Sequence, residues 1–231
     1  MTVKELESRV KALEEIVKSQ AVEIRTLKDI EEINKLQNAY GYYLEHWMAQ
    51  EVIDLFADGP DVSLTLNPGT FKGKAGVKRY FESTKPTSEF MHQMMQLSGI
   101  VDVAPDGKTA KGRWYGFGAI AMPRGDRIGQ NFMAGIYTVD YIKESGVWKF
   151  KNLTFDIVYF AKPLEGWVKP ERQATAGSAP NPHAVIKADV PRAYYATYPS
   201  GYIVPFHFKH PVTGKPTSEN SWNASLKKST G

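Results

Sequence analysis

From Pro86 onward the chain reads as four long runs of strand-forming residues, joined by turns too short to hold a helix. "SEFMHQMMQLSGIVDV" passes through "APDGKT" into "AKGRWYGFGAIAM", the loop "PRGDRIG" leads to "QNFMAGIYTVDYI", and "KESG" leads to "VWKFKNLTFDIVYF". Parallel neighbours need crossovers of a dozen or more residues, so these runs must pair as an antiparallel meander. A sheet of this kind buries one face against another layer, and the only candidate layer lies earlier in the chain. Glycines 112, 116 and 118 inside one run predict sharp curvature, a bulge, or a backbone approached closely by a ligand.

The covering layer is helical. Ile30, Ile33, Leu36, Tyr40 and Tyr43/Leu44 fall on one face of a helix that Asp29 is placed to cap. A shorter helix, Ala49 to Ala57, stops at Gly59-Pro60, and "DVSLTLNPGTFKG" reads as a strand, a turn and a short return. "KAGVKRYFES" is a third helix with Val77, Tyr80 and Phe81 inward. The fold class is therefore α+β, a curved antiparallel sheet wrapped on three helices.

Two appendages flank this domain, residues 29–162. Residues 1–28 carry a heptad: Val3, Val10, Val17 and Ile24 at a, with Leu6, Leu13, Gln20 and Leu27 at d. β-Branched a positions with Leu at d favour a parallel two-stranded coil; a helix packed on its own domain is the alternative. Residues 163–231 hold nine of the 14 prolines and a run dense in aromatics, "YYATYPSGYIVPFHF". Burial of those rings predicts that 192–212 lies extended on the barrel of its own or a neighbouring protomer, where Phe206 or His207 could serve as a lid.

Composition narrows the function. Without cysteine there is no disulfide, zinc-thiolate site or thiol nucleophile. No apolar run approaches the roughly 20 residues that span a bilayer, and the N-terminus lacks a secretory pattern, so a cytoplasmic protein is expected. The net charge of +4 comes from the tail, where eight basic and four acidic side chains are scattered without a stripe, so no nucleic-acid partner is expected. His207 and His210 in "PFHFKHP", with His92, lack carboxylate or thiolate partners at fixed spacing, and no metal is expected.

The order of pieces "DIEEINKLQNAYGYYLE…EVIDLFAD", "FKGKAGVKRYF", "MHQMMQLSGIVDVAPDGKTAKGRWY" and "YTVDYIKESGVWKF" resembles the SnoaL-like branch of the nuclear transport factor 2-like superfamily. With its heptad helix, the chain is nearest in pattern to the bile-acid 7α-dehydratases of that branch. The resemblance implies a cone-shaped barrel with a deep apolar cavity and cofactor-free chemistry. It carries a tyrosine, a carboxylate and a histidine onto Tyr40, Glu45 and His92. It also has departures: Leu64 stands at a cavity tyrosine, Gly118 at an acidic residue and Ile157 at an arginine.

The expected reaction is loss of water, or of a comparable group such as formaldehyde, from a hydrophobic aromatic or polycyclic hydroxylated compound. His92 is the expected general base, Tyr40 the hydrogen-bond donor and Glu45 the orienting carboxylate. Tyr43, Leu64, Met94, Trp114, Tyr137, Tyr159 and His207 are the expected substrate contacts, in a homo-oligomer of two or three chains. A non-catalytic binding or assembly protein of the same fold is the alternative.

Overall fold

A computed structural model describes residues 1–87, 89–124, 127–164, 186–191, 202–211, 213 and 215–228. One helix, α1 (Val3–Glu45), runs unbroken for 43 residues. Thr2 caps it: its Oγ1 accepts from the Glu5 amide at 3.3 Å, while the Glu5 carboxylate accepts from the Thr2 amide at 2.7 Å. The new helix expected at Asp29 does not begin there. No glycine or proline interrupts residues 3–40, and Asp29 is instead a buried acceptor for Lys143 Nζ at 2.5 Å and Trp148 Nε1 at 3.0 Å. Burial pulls the Asp29 carboxyl upward, but these two donors outweigh it and hold the group below its ordinary value.

The remaining elements are α2 (Ala49–Asp54), β1 (Ser63–Leu66), β2 (Gly69–Lys72), α3 (Gly73–Phe81), β3 (Met91–His92), β4 (Met95–Val103), β5 (Thr109–Arg124), β6 (Arg127–Glu144), β7 (Val147–Ala161) and α4 (Glu219–Lys228). They build one mixed sheet in the order β2-β1-β7-β6-β5-β3, with β4 also on β5. Among the named strands β1 and β7 pair in parallel, and the meander is antiparallel throughout. The sheet curls around α1, α2 and α3, as expected of an α+β cone, with Phe56, Leu64, Phe71, Phe150 and Leu153 fully buried between the layers. Among the described residues no helix is long and apolar enough to cross a membrane.

The first long run divides into β3 and β4 at Gln93 and Met94, where the chain presses onto Gly118 while both pieces keep one register along the same edge of β5. A Cβ there would meet the Gln93 carbonyl at 1.7 Å, and the Gln93 amide bonds Ala119 O at 3.0 Å. What comes close to this glycine is the protein's own backbone. Gly41 serves the same end on α1, where a Cβ would lie 2.9 Å from Met94 O. It lets the helix sit against β4 without distorting.

Of the described tail residues, 186–190 run beside β2, with Val190 bridged to Thr70, while 202–208 lie on the convex face. Val204 packs with Ile136, Val158 and Tyr202, and Ile136 points away from the concavity that its neighbour Tyr137 faces. Arg113 donates to Pro205 O at 3.2 Å and lies 4.5 Å from the Phe206 ring centre. Asn223 of α4 clamps the Ile203 amide and carbonyl. Of the aromatics expected to pack, Tyr194, Tyr195 and Tyr198 lie outside the described residues.

Candidate active site

The helices do not fill the open end of the cone, and a cavity of ≈ 210 Å³ remains there. Tyr40 and Leu44 reach it from α1, Tyr80 and Phe81 from α3, and Leu66, Asn67 and Pro68 from the β1–β2 turn. The sheet contributes His92, Ile120, Met122, Asn131, Met133, Tyr137, Phe155, Ile157 and Phe160. Trp47 closes one side, held at φ 51° in the turn between α1 and α2, with its indole N–H donating to Phe81 O at 2.8 Å. Strained, buried and lining a void, it has the properties of a site residue rather than a connector. No lining side chain is charged.

Three polar groups dominate this space. The His92 ring stands edge-on to Trp47 at 5.5 Å and stacks on Phe90 at 6.5 Å. Its Nδ1 is buried without a hydrogen-bond partner. Burial pulls the imidazole down to about 4, offset only in part by its own backbone, so it is neutral at pH 7. Tyr40 and Tyr137 meet edge-to-face, with ring centres 5.9 Å apart. Burial, reinforced by the neighbouring phenols, raises Tyr40 well above its ordinary value; Tyr137 is raised, and Tyr80 is pushed up to about 12, also by burial. The neutral imidazole therefore shares an uncharged cavity with phenols that stay protonated and able to donate.

Behind the tyrosine pair, at the narrow end of the cone, lies a polar network. Trp114 Nε1 donates to the Tyr141 hydroxyl at 3.0 Å, and that hydroxyl donates to Gln37 Oε1 at 2.7 Å. Gln37 Nε2 donates to Gln96 Oε1 at 2.7 Å, and Gln96 Nε2 donates to Met94 O at 2.9 Å.

Of the residues expected at the site, Tyr40, His92 and Tyr137 come together in this cavity. Glu45 does not. It borders a separate open depression with Asn38, Gly41 and Gln93, because α1 stays regular and five residues carry the side chain about 140° around from Tyr40. Met94 and Leu64 are core, 1% and 0% exposed, and do not line the cavity. Trp114 lies on the concave face but at the narrow end, and Tyr43 borders an outer depression with it.

Tyr159 is displaced by a bulge. Ala134 pairs with Tyr159 but Gly135 pairs with Ile157, so Val158 is extra and the alternation reverses. Phe160 faces the cavity in its place. His207 sits on the convex face, its Nε2 3.4 Å from Asp102, so neither it nor Phe206 closes the mouth. Among the described residues no three His, Asp or Glu side chains converge.

Asn131 and Met133 were missed. Both lie at two-residue steps along β6 from Tyr137, and that alternation was the signal for them.

A cone-shaped α+β domain enclosing one uncharged cavity is thus the class that fold and site define. A family profile described as the SnoaL-like domain matches residues 25–154, more than half of the chain, and the chain belongs to that family, within the nuclear transport factor 2-like superfamily. A provisionally assigned scytalone dehydratase from Novosphingobium aromaticivorans is 18% identical, with 60% of this chain and 89% of that one covered at a TM-score of 0.52. The Kfla4162 protein of Kribbella flavida is 11% identical over 59% and 95%, at 0.50. A hexachlorocyclohexane dehydrochlorinase from Novosphingobium barchaimii is 19% identical over 61% and 93%, at 0.49. At these identities the likeness is one of fold. No curated protein sequence matches the chain.

Proposed function

We propose that the protein is a cofactor-independent lyase that removes water from a small, neutral, hydroxylated aromatic compound. One observation carries the reading: a neutral imidazole with an unbonded buried nitrogen shares an uncharged cavity with two phenols packed edge-to-face. Both the acid–base group and the donors are in the protonation states that such an elimination needs at neutral pH.

An imidazole held near 4 is a weak base, so a carbonyl next to the reacting carbon must take up the charge that its proton abstraction leaves. Tyr40 and Tyr137 donate to that carbonyl oxygen and stabilise the charge it gains as the C–H bond breaks. The electron pair of that bond becomes the enolate, which expels the β-hydroxyl. The proton held by His92 leaves with the hydroxyl as water, and the imidazole is neutral again. A primary alcohol in place of the ring hydroxyl would lose formaldehyde by the same groups: His92 takes the O–H proton, the C–C bond breaks, and the enolate is reprotonated.

Size refines the substrate class. A cavity of about 150 Å³ holds benzene, so ≈ 210 Å³ suits one or two rings and is short of a steroid. The test is a panel of neutral one- and two-ring β-hydroxy ketones, followed by the absorbance of the conjugated product. Turnover that disappears in His92→Ala while ligand affinity persists supports the lyase. Binding across the panel without turnover in the unaltered protein contradicts it and favours a ligand-binding role.

A further inference from the structure

Residues 1–28, which hold the first part of α1, leave an apolar stripe in solvent. Ten of the 22 exposed large apolar side chains among the described residues lie there. Leu6 is 44% exposed, Leu13 60% and Val17 62%, values seen on a helix face missing its partner. We propose that this segment is one strand of a parallel, in-register, two-stranded coiled coil formed with a second copy of this chain.

Direction comes from helix geometry. At about 100° per residue, Ile33, the first apolar anchor of α1 in the barrel, lies half a turn around from Ile24 in the heptad seam. Tyr40 and Gln37 fall on that same far side. The seam therefore points away from the protein's own barrel, and a second helix can approach without collision. Continued past Leu27, the a and d positions become Glu31, Asn34, Asn38, Gly41 and Glu45, so the apolar seam ends where the barrel begins.

Charge and the one polar seam residue choose the partner and its orientation. In a parallel pair, each g residue meets the e residue of the following heptad on the other strand. Those pairs are Arg9 with Glu14 and Glu23 with Lys28, opposite in charge and each formed twice by symmetry, with Ile16 and Ala21 between them. Gln20 at d meets its own copy, so the two amides can satisfy each other. An antiparallel pair that keeps all the apolar layers sets Gln20 against Val10, leaving the amide unpaired in the seam. Valine and isoleucine at a with leucine at d specify two strands.

The experiment uses the full chain. Light scattering should report the mass of two chains, and Leu13→Lys with Val17→Lys should halve it while the near-ultraviolet dichroism of the barrel persists. Because the protein has no cysteine of its own, mild oxidation of Gln20→Cys should link the two chains in high yield. Arg9→Glu should weaken association about tenfold, and adding Glu14→Arg should restore it. A single-chain mass, three chains per particle, a dimer that survives the lysine pair, or a dimer in which Gln20→Cys does not cross-link would each overturn the proposal.

Discussion

The two ends of the concavity are built from similar side chains and treat them oppositely. At the narrow end, Trp114, Tyr141, Gln37 and Gln96 form a closed series of hydrogen bonds that finishes on Met94 O. At the wide end, His92 Nδ1 has no partner, and the Tyr40–Tyr137 pair and Asn131 border empty space. A satisfied buried network rigidifies a core. A buried polar atom left without a partner beside a void costs stability and calls for another explanation. We propose that substrate supplies that partner, and on this reading the contrast separates residues that hold the cone from residues that would act in it.

Mutating each end should break the comparison in opposite directions. His92→Ala is expected to lower kcat by at least about a hundredfold, with ligand affinity and melting temperature nearly kept. Gln37→Leu should leave kcat within a few-fold but cost about 1–3 kcal/mol of stability, because the Tyr141 hydroxyl and Gln96 lose their partner. Kinetics and thermal melts on the same two variants check both.

A titration sharpens the same contrast. The unfolded chain binds a proton at His92 near pH 6.5, whereas the folded chain waits until about 4. Between those values the unfolded state holds the extra proton, so stability falls as pH drops through the window and levels off below it. The total is on the order of 3 kcal/mol. Denaturant melts at several pH values should show this slope in the unaltered protein and its loss in His92→Leu.

The smallest effect is expected at the rim. The Asp189 carboxylate accepts from the Lys72 amide at 2.7 Å and from Arg79 at 2.9 Å, bracing β2. The β1–β2 turn it steadies supplies Asn67 and Pro68 to the cavity. Asp189→Ala should raise KM a few-fold with kcat unchanged, measured by steady-state kinetics.

The meander was legible in the sequence because short turns leave antiparallel pairing as the only option, and the helices because their apolar faces are periodic. Tyr40, Tyr137 and His92 were legible as candidates, and the structure brings them to one cavity. What local pattern could not show was long-range register. A single extra residue at Val158 exchanges Tyr159 for Phe160. A helix that stays regular past Gly41 carries Glu45 out of the site. Gly118 invited a ligand reading, and only the close approach of the residue 93–94 backbone accounts for it. Asn131 was marked only by its alternation with Tyr137 along β6, against an apolar neighbour, Phe132, that looks the more suited to face inward.

The contrast between the two ends rests on the state of one imidazole. An NMR titration of the histidine ring signals, with and without a two-ring β-hydroxy ketone, measures it directly. The account predicts that His92 stays neutral down to about pH 4 and that the ketone shifts its signals while leaving those of His207 and His210 in place. A His92 that titrates near 6.5, or that does not respond to any member of the panel, would contradict it.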